Sequence, residues 1–264
     1  METENVIRDL AQRFVKEDPA RAIAEATRTR YLFLDFLDSL RGRIKELDKL
    51  RFEILLDAIK DDVEYQDVLA EAISWEINRV DDKDALNIIN IISPLPYLFR
   101  RVWCNLGENY FSRRVYLMAL KMSASRYLGW GAGKGFVNYD NDGLLKTVEV
   151  DNEFAVGFGI GTGLSVELLT DEKLRKILQI RNETLHVTFA STIVLRANHI
   201  PFSTLMSLIS LSNSYENFGR SFGLLLSLYY PHLKKDIKEK LDMYCRFNSG
   251  NPFLEGFTDV LLKD

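Results

Sequence analysis

Eight of the fifteen glycines in this chain stand in two runs of strict alternation, GWGAGKG over Gly129 to Gly135 and GFGIGTG over Gly157 to Gly163. Because side chains of a strand point alternately to its two faces, glycine at every second position strips one face bare. The turn signals Asn141-Asp142-Gly143 and Asp151-Asn152 lie between and beside the runs. Together they predict a three-stranded antiparallel meander over 133–140, 144–150 and 153–160. With two-residue turns, Gly133, Gly135, Gly157 and Gly159 share one side, and Phe136 and Phe158 lie opposite. Such a bare face receives either a closely packed neighbouring element or a ligand or partner.

The spacing excludes the familiar nucleotide loops. A GxGxxG fingerprint would need glycine at Lys134, Phe136 or Thr162, according to its starting point. A Walker A loop ending at Lys134 would need glycine in place of Leu128 and a hydroxyl residue in place of Gly135.

The rest of the chain carries helical signals. Asp18-Pro19 marks a helix start, Thr170-Asp171 a helix cap, and Gly42 a bend. Ser93-Pro94-Leu95-Pro96 is the firmest break, since each proline pushes its predecessor out of helical geometry. The predicted class is therefore α+β, mainly α-helical: N-terminal antiparallel helices, a small central β-meander and C-terminal helices. A helical subdomain over 1–93 precedes a second part over 94–264, the two either separate or docked as one compact domain. Leu185, Val187, Phe189, Ile193 and Leu195 fit a fourth strand or a buried helix equally well. No residue pattern repeats at the spacing of a solenoid.

Net charge is −4, unevenly distributed. Residues 1–95 carry 14 basic and 21 acidic side chains, whereas 96–135 carry seven basic ones against Glu108 alone. Within that block Arg113, Arg114, Lys121 and Arg126 fall on a predicted long basic helix that leads to Lys134 and the first glycine run. A cationic surface of this kind suits an acidic protein surface or an anionic small ligand. Nucleic acid fits less well, because affinity there rests on positive charge and the whole chain is acidic. The alternative is that these side chains pair with the acidic N-terminal helices.

Cofactor and metal chemistry is not indicated. His186, His199 and His232 do not stand four apart, and Cys104 and Cys245 form no CxxC pair. Asp81-Asp82-Lys83-Asp84 is one residue short of a DDxxD magnesium motif and reads better as a helix start. Gly219 and Gly223 have the small-xxx-small spacing that lets helices approach. The first residues lack a basic patch followed by an apolar stretch, and two cysteines suit a reducing compartment, so a cytoplasmic location is expected. A helix ending in LGWG and running into strands, as at Leu128 to Val150, resembles the small-ligand-binding domain named after vinyl reductase, and the resemblance covers about fifty residues. The cysteine-bearing helix and closing strands of that family have no counterpart after Gly163, and no function is carried over.

The leading expectation is a non-enzymatic binding or regulatory protein that recognises a partner or anionic ligand through the basic helix and adjoining Gly-rich sheet. Its surface would comprise Arg113, Arg114, Lys121, Arg126, Lys134, Gly133, Gly135, Gly157 and Gly159. One alternative is an enzyme acting on a phosphorylated or nucleotide substrate, with Lys134 and the glycine backbone as anion cradle and Asp140, Asp142 or Glu149 as base. Another is a structural subunit that self-associates or joins a larger assembly.

Overall fold

The computed structural model describes residues 2–138, 142–248 and 250–261, and among them there is no strand. The chain forms α1 (Glu2–Lys16), α2 (Pro19–Ala26), α3 (Arg30–Ser39), α4 (Lys49–Ile59), α5 (Val63–Ile77), α6 (Asp82–Ile92), α7 (Pro96–Tyr110), α8 (Arg113–Lys121) and α9 (Ser125–Gly135). It continues through α10 (Asp142–Val150), α11 (Asn152–Leu164), α12 (Asp171–Gln179), α13 (Glu183–Leu195), α14 (Phe202–Ser212), α15 (Glu216–Tyr229), α16 (Lys235–Phe247) and α17 (Pro252–Leu261). Two compact units result, 1–127 and 128–264.

In the first unit α1, α3, α5 and α7 lie side by side in chain order, and so do α2, α4 and α6. Helices α3, α5 and α7 begin at 30, 63 and 96, a period of 33 residues. This is a serial stack of helical hairpins, in which each hairpin buries its apolar stripe mainly on its neighbours. Carboxylates set the helix starts by accepting the otherwise unpaired first-turn amides. Asp18 accepts from the Arg21 amide at 3.1 Å, Asp48 from Arg51 at 2.9 Å, Asp62 from Glu64 at 2.9 Å and Asp81 from Asp84 at 2.9 Å. Pro96 opens α7, where a missing amide hydrogen costs nothing.

One contact repeats at one sequence separation. Arg51 donates to the Phe14 carbonyl at 2.9 Å, Arg114 to Ile77 at 3.2 Å and Lys173 to Phe136 at 2.6 Å, each reaching back 37 residues. All three cations stand in the first turn of α4, α8 or α12 and meet carbonyls at the ends of α1, α5 and α9, where the helix dipole is negative. The repeat is therefore one of geometry, with no matching residue pattern.

In the second unit α11, α13, α15 and α17 lie side by side in order, and α9 packs on α11. Both glycine runs are helical, which overturns the predicted meander, the Gly-rich sheet and the α+β class. An α-helix turns about 100° per residue, so alternate positions divide into two i, i+4 pairs on nearly opposite faces. In α11, Gly161 faces α9: a Cβ there would lie 2.8 Å from the Lys134 amide nitrogen and 3.0 Å from the Gly133 carbonyl carbon. Gly159 and Gly163 face α13, where added Cβ atoms would meet the Phe189 amide nitrogen at 3.1 Å and the Thr192 Cβ at 2.6 Å. The alternation thus belongs to a helix clasped on two sides, where an added Cβ is crowded on either.

The remaining strand cues have equally local explanations. Asp151 is the N-cap of α11, accepting from the Phe154 amide at 3.0 Å, and is not a hairpin corner. Phe154 and Phe158 are four residues apart and wholly buried, while Val156 and Ile160 stand half-buried on another side. Apolar residues on two faces of one helix imitate the alternation of a strand. Phe136 and Phe158 meet edge to face at 5.4 Å within the core. The segment left open between strand and helix is α13, with Leu185, Phe189 and Ile193 on its buried side. Stacked and tilted phenylalanines continue the core through α15 and α17, from Phe189–Phe218 at 5.8 Å to Phe253–Phe257 at 5.5 Å.

Candidate partner-binding surface

The predicted long basic helix is three helices. Ser112 caps α8 by accepting from the Val115 amide at 3.2 Å, and Ser123, with φ 52°, breaks the chain again before α9. A serine side chain that bonds the backbone two or three residues on favours a helix start over a helix interior.

The same breaks sort the basic block into two groups. Arg101 donates to Asp67 at 2.6 Å, and the Tyr97 hydroxyl donates to the same carboxylate at 2.9 Å. Burial works against the Arg101 charge, but Asp67 outweighs it and the guanidinium pKa is raised. Burial and that hydrogen bond likewise push the Tyr97 hydroxyl upward. Arg100 turns back to the Pro96 carbonyl at 3.1 Å. Arg114 is held by Asp82 at 2.6 Å and by the carbonyls of Ile77 and Val80 at 3.2 and 2.6 Å. Arg101 and Arg114 thus join elements of the first unit to one another, while Arg100 bonds within α7.

Arg113, Lys121 and Arg126 form the second group: each is exposed and makes no ion pair or side-chain hydrogen bond among the described residues. Arg113, Leu117 and Lys121 recur every fourth residue of α8, so they share one side, and Leu120 is exposed beside them. The opposite side, Val115, Met118 and Ala119, is buried. The charged residues were legible from sequence. The leucines were not singled out, although the i, i+4, i+8 pattern from Arg113 was available.

The glycine part of the predicted surface is not a surface. Gly133, Gly135, Gly157 and Gly159 are buried inside helices, and Lys134 is half-buried on α9. Amides inside a helix are bonded to the preceding turn, so these glycines cannot form an anion cradle. Among the described residues of Leu128 to Val150, α9 and α10 stand where the vinyl-reductase-named domain would have strands. Glu149 is exposed on α10, whereas Asp140 and the side chain of Asp142 lie outside the described residues.

Among the described residues no group of three or more His, Cys, Asp or Glu side chains is placed to hold a metal ion. His186 is buried on α13 with neither ring nitrogen in a hydrogen bond, and burial lowers its pKa against the pull of the Ile177 and Leu178 carbonyls. No helix among the described residues is long and apolar enough to cross a membrane. Compared with protein-family models, with curated proteins and with solved structures, the chain shows no match.

Proposed function

We propose that this is a non-enzymatic binding protein that recognises an acidic protein partner through the exposed side of α8. The supporting observation is the division of labour among its cations. Arg114 is spent on closing the first unit, while Arg113 and Lys121 flank exposed Leu117 and Leu120 without any partner. Unpaired cations around a small apolar centre suit a carboxylate-rimmed apolar contact: the charges steer encounter and the leucines supply buried area. A reducing, cytoplasmic setting suits Cys104 and Cys245, which are not joined in a disulfide.

Recovery of partners by the full chain tests this. The wild type is expected to retain an acidic protein that moderate salt releases, and Arg113→Glu with Lys121→Glu is expected to lose it without a change in thermal unfolding. Retention of the same partner by the double variant would sink the proposal.

A further inference from the structure

The second unit exposes apolar residues that its own folding does not require. On α11 the side between its two glycine contacts carries Val156, Ile160 and Leu164. On α13 the corresponding row is Val187, Ser191 and Leu195, and on α15 it is Leu224 and Leu228, following Arg220. Trp130 is exposed on α9. Leu195 retains 66%, Leu228 57% and Leu224 41% of its free surface. Each row is spaced by four residues and turned away from the flanking helices, and the helices lie side by side in chain order.

Exposed apolar side chains occur elsewhere too, as Met243 and Phe247 on α16 and Tyr31 and Val63 on α3 and α5, but the outer rows there are mainly polar. On the same unit α14 exposes Ser203, Ser207 and Ser210, and α12 exposes Glu172 and Arg175. The corresponding helices α3, α5 and α7 of the first unit expose Asp35, Asp38, Glu64, Glu71 and Arg100. A hairpin stack is therefore built here with charged outer rows, so leucine and valine in those positions are not a demand of the architecture. A contiguous exposed apolar patch on a soluble fold marks an interaction site.

We infer that this face pairs with the same face of a second copy of the chain. Its size fits: eight residues of row plus side chains extend roughly 20 Å, and three interhelix steps plus margins roughly 35 Å, for about 700 Å². Each partner of a stable interface contributes about 800 Å². Its chemistry is also self-complementary. A two-fold axis lying in the interface between α11 and α13 sets the α11 row on the α13 row and Trp130 of α9 toward the α15 row, so apolar residues meet across the face. The charge within the rows, Arg220, is neutralised by Glu216 at 3.1 Å and Glu255 at 2.9 Å. The pairing is independent of α8, which lies in the other unit.

Sedimentation velocity of the full chain from about 1 to 100 µM tests the inference. The wild type is expected to pass from monomer to dimer mass over that range. Leu195→Glu with Leu228→Glu is expected to remain monomeric throughout, a rise of more than tenfold in dissociation constant, with the wild-type circular dichroism spectrum and melting temperature. Val187→Lys, on a separate turn of α13, supplies a second disruption should the first pair misfold. Arg113→Glu with Lys121→Glu should leave the dimer unchanged, which separates this test from that of the α8 surface. A wild type that stays monomeric at 100 µM overturns the inference, as does a dimer that survives both disruptions.

Discussion

Alanine substitution along the two glycine runs should produce a graded loss of stability set by where the new methyl points. At Gly133 the added carbon would lie against the Phe158 carbonyl, 2.9 Å from the Thr162 amide nitrogen and 3.0 Å from the Gly161 Cα. At Gly161 it would lie against the Trp130 carbonyl and 2.8 Å from the Lys134 amide nitrogen. Every one of those atoms is backbone, so no side-chain rotamer can yield and α9 and α11 must separate. Overpacking of this kind costs about 3 kcal/mol, against a helix-propensity gain of about 1 kcal/mol for replacing glycine. A net loss of about 2 kcal/mol lowers the melting temperature by about 4–8 °C at this chain length. Gly159 is the internal comparison, because its nearest neighbours, including Thr188, stand at 3.1 Å and a few tenths of an ångström of movement suffices. Gly159→Ala should therefore fall within about 1 kcal/mol of wild type, the propensity gain offsetting the crowding. Since Gly133 and Gly161 face each other, one separation relieves both, and the double variant should cost clearly less than the sum of the singles. Thermal and denaturant unfolding followed by circular dichroism give all four values. If Gly133→Ala and Gly161→Ala stabilise the protein, or equal Gly159→Ala, the close approach of α9 and α11 is wrong.

Arg114→Ala should cost about 1–2 kcal/mol, because it removes a charged donor from the Ile77 and Val80 carbonyls while the exposed Asp82 stays solvated, whereas Arg113→Ala should stay within about 0.5 kcal/mol; denaturant midpoints of the two neighbouring variants make the comparison. Glu76 is buried, 2% exposed, with Oε2 unpartnered, and burial raises its pKa although Lys45 and the Gly42 amide oppose this. An acid whose pKa is higher folded than unfolded holds its proton longer in the native state, so stability falls as pH rises from the unfolded value near 4.5 through the folded one. Glu76→Gln should accordingly be more stable than wild type at pH 7 and converge with it below that unfolded value; a difference that persists unchanged in acid would show that the carboxylate is not the cause.

Helix starts were legible in the sequence because capping is local: Asp18 followed by Pro19, and Thr170 followed by Asp171, announce their geometry within three residues, and both side chains accept the amide three positions on, at 3.1 and 3.3 Å. The glycine runs were conspicuous but ambiguous, because GxGxGxG satisfies a period of two and also two interleaved periods of four. What separates these readings is whether helices stand on both sides of α11, and that is a long-range fact. The hairpin stack was invisible for a related reason. Its recurring contact needs a cation at one position and only a backbone carbonyl 37 residues earlier, and Phe14, Ile77 and Phe136 supply that carbonyl whatever their side chains. The apolar face was hidden in plain view. A strand over 153–160 would put Phe154, Val156, Phe158 and Ile160 on one side, whereas on a helix the phenylalanines fill the core and the aliphatic pair does not. Hydrophobic residues in excess of what one helix face can bury are thus the trace that a binding surface leaves in the sequence. They became readable only after the period was known to be four.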